Sequence, residues 1–463
     1  MSKKSFKEIP GSIVAPRGFL AGGVFCDIKR LGTGKGSEKG KKRDLALIVS
    51  EVPATVAGLF TTNQICAAPV KLCMACVKNH RAQVIVANSG NANACTGKQG
   101  LRDAHEMTEI AAQAVTAATN RRDKISAEHV LVGSTGRIGV TLPLANIKRG
   151  IFEAAKLLGD SSRHAAQAAE AIMTSDTRSK QIAVEFKLGG KTVRVGGICK
   201  GAGMIQPGMS ATGARPAALA PAGLHATMLC FLTTDAAIKA GALQSALNEA
   251  VAQSFNRITV DGDMSTNDTV LVLANGLAGN PEVRSQKSEV RRFQAALNHV
   301  CLELAKMIVR DGEGVHRVVT VRVNGARSVV EADAAARAVA NSALVKTSWH
   351  GGDPNWGRII DALGYSSARI VEEKVDIGYR STFASDASAR RAGRGKILWS
   401  LKRGQPTKAT FKQLCAAVAP REFDLHIHLN LGGGSAVIYA ADLTEAYVDF
   451  NKGDVGDPGS LGG

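Results

Sequence analysis

Residues His225 to Ala236 read His-Ala-Thr-Met-Leu-Cys-Phe-Leu-Thr-Thr-Asp-Ala: a small residue and a threonine open an apolar run that closes on polar Thr-Thr-Asp. That layout suits a threonine at a new chain terminus. Breaking the Ala226–Thr227 bond would give Thr227 both a hydroxyl and a free α-amine. An α-amine has a reference pKa of about 7.7–8.0, so a useful fraction is neutral near pH 7 and accepts the hydroxyl proton. Nucleophile and base then belong to one residue. The same letters also describe a threonine at the start of a buried strand, and this stretch alone does not choose between the two.

The elements that must position Thr227 alternate between strand-like and helical runs. Val84 to Ala87 is strand-like and runs into a polar stretch, Asn88-Ser89-Gly90-Asn91-Ala92-Asn93, expected as a loop. Residues 103–119 follow as a predicted helix, with Asp103 as its N-cap. Val130 to Val132 is a short strand stopping at a predicted turn, Gly133-Ser134-Thr135-Gly136-Arg137-Ile138-Gly139. Helices are expected over 144–158, 163–173, 237–254 and 289–309. A hairpin is expected around Gly189-Gly190, and strands over 269–274, 318–323 and 423–429. The Ala/Pro/Gly-rich segment from Ser210 to Gly223 reads as an exposed loop. The mixture indicates an α/β or α+β enzyme.

The 463 residues allow two or three domains with sizeable cores. Aromatics make up only 4% of the chain, which argues against stacking platforms for single-stranded nucleic acid. The net charge of +18 admits either nucleic-acid binding or attraction of a small anionic substrate. The one dense basic cluster, Lys35 to Arg43, is Gly-rich and lacks a phosphate-loop pattern, so it reads as a mobile insertion. No apolar run is long enough to span a bilayer, and no secretory signal is expected. Nine cysteines without a secretion signal point to reduced thiols in the cytoplasm. Cys73 and Cys76 form the one C-x-x-C but lack a partner pair, and none of the ten histidines has convincing ligand spacing, so no metal is expected.

Taken in order, the motifs resemble the ornithine acetyltransferase (bifunctional glutamate N-acetyltransferase) family of arginine biosynthesis, over nearly the whole chain. They include Asp44 to Ile48, Gly58 to Asn63, Asn88 to Asn93, Ser134-Thr135-Gly136, Met173 to Thr177 and Lys200 to Ile205. Ala226-Thr227-Met228-Leu229, Ser265 to Asp268, Arg310 to Gly314, Asp353 to Arg358 and the C-terminal Ala446 to Asn451 follow. The resemblance implies an α/β fold in which helices flank stacked β-sheets, an αββα-like sandwich, with a smaller α/β domain. It implies self-cleavage between Ala226 and Thr227 into an α chain, 1–226, and a β chain, 227–463, that stay together as a dimer of cleaved heterodimers (a heterotetramer). Thr227 would then carry an acetyl group from N2-acetyl-ornithine to glutamate. No cofactor is implied; acetyl-CoA as a further donor stays open.

The same resemblance assigns the site. Thr135 and Gly136 would stabilise the oxyanion through a hydroxyl and a backbone N–H. Thr174, Lys200, Thr227, Glu313 and Asn451 would bind substrate. Without the family, Thr135 reads as a polar turn residue, Thr174 as a residue ending a helix and Lys200 as a surface lysine. Glu313 then reads as a turn acid and Asn451 as the start of a loose tail. Asp353 to Arg358 reads as a rigid turn, and His225 as a loop residue.

Three departures stand out: the insertion from Ser210 to His225 ahead of the scissile bond, the enlarged loop Gly32 to Lys42, and Gly456 where the family ends on a substrate-touching hydroxyl. The last of these keeps open an aminopeptidase- or amidase-like paralogue that hydrolyses the acyl-threonine. A nucleic-acid-binding protein is the remaining alternative, and salt-sensitive binding would reveal it.

Overall fold

The structure is a computed structural model that describes residues 6–29, 42–119, 124–214, 228–284, 287–381 and 396–452. The scissile pair Ala226 and Thr227, the Gly32–Lys42 loop except Lys42, His225 and Gly456 lie outside the described residues. The chain divides into two compact units. The first takes in Met1–Asn256, Asp263–Asp311 and Lys452–Gly463; the second takes in Arg257–Gly262 and Gly312–Asn451.

The strands, in chain order, begin with β1 (Phe6–Ile9), β2 (Phe19–Val24), β3 (Leu45–Thr61), β4 (Arg81–Asn91) and β5 (Val130–Arg137). They continue with β6 (Lys180–Leu188), β7 (Lys191–Lys200), β8 (Met209–Ser210), β9 (Leu229–Thr234), β10 (Ile258–Thr259) and β11 (Thr269–Ala274). The last six are β12 (Val318–Ala326), β13 (Asp376–Ser381), β14 (Leu398–Lys402), β15 (Gln405–Pro406), β16 (Glu422–His428) and β17 (Gly434–Ala441).

In the first unit a ten-stranded sheet runs β1-β6-β7-β9-β11-β3-β4-β5, with β2 and β8 paired onto β3. It folds over itself. Leu229 and Phe231 of β9 share one core cluster with Ile85 of β4 and Leu131 of β5, although these strands are not neighbours in the sheet. At Gly133 of β5 a Cβ would lie 2.9 Å from the Phe231 ring, so glycine makes room there for the side chain of β9. Helices Gly97–Ala118, Leu144–Lys156 and Ser162–Ala171 pack on β2, β3, β4 and β5. Helices Ala240–Ala252 and Lys287–Arg310 pack on the β3 and β6–β7 strands. This is the expected layering of helices about stacked strands. Every residue of β9 is buried, and a side chain such as Phe231 contributes about 1.5–3 kcal/mol by leaving water.

The second unit carries a seven-stranded sheet, β10-β17-β12-β16-β13-β14-β15. Helices Val329–Asn341 and Phe411–Val418 pack on it, and Ala343–Gly351 and Trp356–Gly364 pack with Val329–Asn341. Asn355 caps Trp356–Gly364 by accepting from Arg358 N at 3.1 Å, so the Asp353–Arg358 motif is a helix start.

Three local expectations need correcting. The polar run Asn88–Asn91 is the buried end of β4 rather than a loop. Its side chains are satisfied by carbonyls: Ser89 Oγ donates to Ala171 O at 2.7 Å, and Asn91 Nδ2 to Val140 O at 3.0 Å. The predicted turn Gly133–Gly139 is largely strand, because β5 runs on to Arg137 alongside that polar end. The helix expected from Asp103 starts at Gly97 instead. Asp103 is buried within it and accepts from Gln99 Nε2 at 2.6 Å. The hairpin at Gly189-Gly190 forms as expected, with Leu188 opposite Lys191.

Candidate active site

Chemistry in the first unit gathers where β5, β7 and β9 end or begin. Thr135 lies in the last turnless stretch of β5, opposite Ser89, and is 0% exposed. Its Oγ1 has no hydrogen-bond partner among the described residues. A buried hydroxyl left in that state costs about 1–3 kcal/mol, so its orientation calls for a reason. Gly136 follows with φ 128°, where side chains are strained. A Cβ there would sit 2.4 Å from the Gly90 carbonyl carbon and 2.6 Å from Asn91 N. Only glycine lets the end of β5 lie so close to β4.

The start of β9 is fixed to the same place by a dipeptide. Asn267 Nδ2 donates to Ala92 O at 2.7 Å and to Ser134 O at 2.8 Å. The adjacent Asp268 accepts from Met228 N at 2.6 Å. Thr269 N then donates to Met228 O at 3.1 Å. Asn267 and Asp268 thereby connect the residue before Thr135 with the residue after Thr227. Burial pushes the Asp268 carboxyl well above its ordinary value, and the Met228 N–H and Lys200 offset only part of that rise. Its Oδ2 is buried with no hydrogen-bond partner among the described residues.

Lys200 ends β7 directly opposite Leu229 of β9 and is buried, not a surface lysine. Its Nζ lies 4.0 Å from Asp176 Oδ2. Asp176 is the hub of this corner. It accepts from Thr174 N at 3.0 Å, Gly201 N at 2.7 Å and Lys180 Nζ at 2.5 Å. Lys180 Nζ also donates to Asp311 Oδ2 at 2.5 Å. Burial alone would raise the Asp176 carboxyl, but Lys180, Lys200 and the Gly201 N–H hold it well below the usual carboxylate range. Lys180 answers in kind: burial opposes its charge, while Asp176 and Asp311 raise its pKa. Thr174 is half-buried and its backbone is set by this hub.

The structure therefore gathers Thr135, Gly136, Thr174 and Lys200 in the first unit. It places Glu313 and Asn451 in the second, where they meet: Asn451 Nδ2 donates to Glu313 Oε2 at 3.1 Å and to Tyr447 O at 2.9 Å. Glu313 is half-buried and Asn451 exposed. The two segments touch because Gly314 has no side chain; a Cβ would lie 2.3 Å from Tyr447 N. Thr444 caps helix Glu445–Phe450 and donates to Gly314 O at 2.7 Å. Asp176, Asn267 and Asp268 lie within Thr174–Arg178 and Ser265–Thr269, polar runs that give no sign in the sequence that these side chains are buried.

The Cys73–Cys76 pair lies in helix Ala68–Cys76. Cys73 is buried, burial pushes its thiol up to about 12, and its Sγ donates to Val132 O at 3.2 Å. All nine cysteines are free thiols. Among the described residues no helix is long and apolar enough to cross a membrane.

Residues 28–453 match the sequence pattern of the ArgJ family. The arginine biosynthesis bifunctional protein ArgJ of Symbiobacterium thermophilum is 44% identical over 445 residues, 96% of this chain and 98% of that protein. The glutamate N-acetyltransferase of Methanocaldococcus jannaschii is 42% identical over 449 residues, again 96% and 98%. A solved chain of the ornithine acetyltransferase from Mycobacterium tuberculosis, complexed with ornithine, is 34% identical and covers 44% of this chain and 100% of its own, with a TM-score of 0.39.

Proposed function

Because the chain belongs to the ArgJ family and is accordingly an acetyltransferase, we propose that it moves the acetyl group of N2-acetyl-ornithine to glutamate through an acetyl-Thr227 ester. Maturation comes first. The Thr227 hydroxyl attacks the Ala226 carbonyl, the peptide C–N bond breaks as the ester forms, and water hydrolyses that ester. This frees the α-amine of Thr227 and leaves chains 1–226 and 227–463, which associate as a dimer of heterodimers.

In transfer, the α-amine takes the hydroxyl proton as Thr227 Oγ1 attacks the acetyl carbonyl. The tetrahedral intermediate collapses, the proton passes to the departing amine, and ornithine leaves. The glutamate amine then attacks the acetyl-threonine and gives its proton back through the same α-amine. The observation that carries this reading is the Thr135 hydroxyl, 0% exposed and without a partner among the described residues. It supplies the donor an oxyanion needs, beside the Gly136 N–H. Asn267 and Asp268 support the assignment by tying Ser134 to Met228, the residues adjoining Thr135 and Thr227.

Lys200 and Thr174 bind substrate in this reading, with Asp176 holding both. Glu313 binds an amino group by charge, with Asn451 beside it. The reading needs no resident cofactor and puts the enzyme in the cytoplasm; acetyl-CoA offered in place of N2-acetyl-ornithine tests whether it also acylates Thr227. Incubating the protein with N2-acetyl-ornithine and glutamate tests this directly. Equal amounts of ornithine and N-acetyl-glutamate are expected; free acetate in place of N-acetyl-glutamate would mean a hydrolase on the same scaffold.

A further inference from the structure

Within the second unit, His316, His350 and Asp442 bring three potential ligand atoms within 4.8 Å of one another. They come from distant parts of the sequence. His316 precedes β12, His350 lies near the end of helix Ala343–Gly351, and Asp442 directly follows β17. Asp442 is 4% exposed, and its Oδ1 accepts from His316 N at 3.0 Å. Its Oδ2 lies 3.5 Å from His350 Nδ1. Neither of those two buried atoms has a hydrogen-bond partner among the described residues.

The other ring nitrogen decides what this means. His350 Nε2 lies 2.8 Å from Glu445 Oε2, so Nε2 carries the proton that Glu445 accepts. A neutral His350 then points its Nδ1 lone pair at a carboxylate oxygen. Two acceptors facing each other are unfavourable unless a metal ion or a second ring proton lies between them. A histidine that ligates through one nitrogen while donating to a carboxylate through the other is the usual arrangement around a protein-bound metal. Ligand atoms about 2.0–2.2 Å from a tetrahedral zinc are about 3.4 Å apart, close to the His350–Asp442 separation. His316 is exposed, and its ring stands edge-on 5.5 Å from that of His350. Lys346, the nearby buried cation, donates to Ala441 O, and its charge is felt by Asp442 and Asp261.

We infer that His316, His350 and Asp442 form a binding site for a borderline divalent transition metal such as zinc or cobalt. Two imidazoles and one carboxylate favour these ions over magnesium or calcium. Glu445 orients His350 from outside the ligand set. The bound ion fastens the segment before β12 to the segment after β17, the two segments that also carry Glu313 and Asn451.

The test uses the purified, chelator-treated full chain titrated with Co²⁺, followed by its visible absorption, with Zn²⁺ as competitor. One saturable Co²⁺ spectrum, displaced by Zn²⁺, is expected. His316→Ala, which removes an exposed ring, should weaken Co²⁺ binding at least about tenfold, and Glu445→Gln about tenfold. His316→Ala with His350→Ala should abolish the spectrum while far-UV circular dichroism is kept. If the double variant misfolds, His316→Ala alone decides. A folded wild type with no saturable spectrum, or a spectrum that His316→Ala leaves unchanged, overturns the inference. In the first case His350 would be an imidazolium bridging two carboxylates.

Discussion

Asp176 and Asp268 are both buried aspartates in the first unit, at 3% and 0% exposure, and both feel the charge of Lys200. Their charge states diverge. Asp176 has Lys180 at 2.5 Å and two backbone donors, so it is held ionised. Asp268 has one backbone donor and only the more distant influence of Lys200, so burial prevails and its carboxyl is pushed toward the neutral form. Burial sets the cost of a charge, and the number and distance of its partners decide whether that cost is met. The first unit thus contains a fixed charge that holds the Thr174–Lys200 corner and a neutral pin that holds the start of β9.

The sharpest way to break this contrast is Asp176→Asn. Removing the shared carboxylate takes one of two carboxylates from Lys180, which keeps Asp311 and the Arg178 carbonyl, and removes the carboxylate 4.0 Å from Lys200 Nζ. Breaking such a buried pair costs about 3–5 kcal/mol, readable by chemical denaturation. The pH dependence has a definite sign. Asp176 is held below its unfolded value of about 3.9, so its contribution is complete above that pH and is lost as pH falls toward the folded-state value. The wild type should therefore lose stability in acid more steeply than Asp176→Asn; parallel acid limbs would mean that Asp176 is not the charged member.

Thr135→Val asks whether the hydroxyl beyond the Asn267–Asp268 junction is chemical. It removes a group with no partner among the described residues, so stability should hold. The rate of acetyl transfer should fall about 10²–10³-fold. A variant with unchanged rate would relegate Thr135 to packing.

Glu313→Gln probes the Glu313–Asn451 pair of the second unit. We expect KM for the amino-acid substrate to rise about tenfold with kcat little changed, since a charge-assisted contact is lost from binding alone. A fall in kcat at constant KM would contradict that role.

Asp268→Asn should have the smallest effect, within about 1 kcal/mol, because an amide carbonyl still accepts from Met228 N. Here the sign reverses. A carboxyl with a raised folded-state pKa takes up a proton on folding, so rising pH works against it. The variant should gain on the wild type as pH increases in denaturation experiments; the opposite trend would mean an ionised Asp268.

Strand β11 was legible residue for residue, because Thr269–Ala274 is apolar and β-rich and nothing competes with that signal. The ends of β4 and β5 were not legible. Asn88–Asn91 and Ser134–Gly136 have loop composition; the first run is held by carbonyls contributed by Ala171, Val140 and Thr141, and the second pairs along it. Such partners are distant in sequence and backbone in kind, so no spacing announces them. Asp103 misled for a related reason: an acid before an apolar run looks like a cap, yet here it is buried and bonded to Gln99. Lys200 looked like a surface residue because its countercharge, Asp176, sits across a strand connection and not beside it. The resemblance pointed to Thr135, Thr174 and Lys200, whereas the groups that fix them emerged only from the fold.

In the proposed mechanism Thr227 becomes an N-terminal nucleophile that carries the acetyl group. Intact-protein mass spectrometry of freshly purified chain, before and after N2-acetyl-ornithine, addresses it beside Thr227→Ala. The account predicts two fragments divided between Ala226 and Thr227, one acetyl mass gained by the 227–463 fragment, and a single unmodified chain for the variant. An uncut wild-type chain, or an acetyl group that survives in Thr227→Ala, would contradict it.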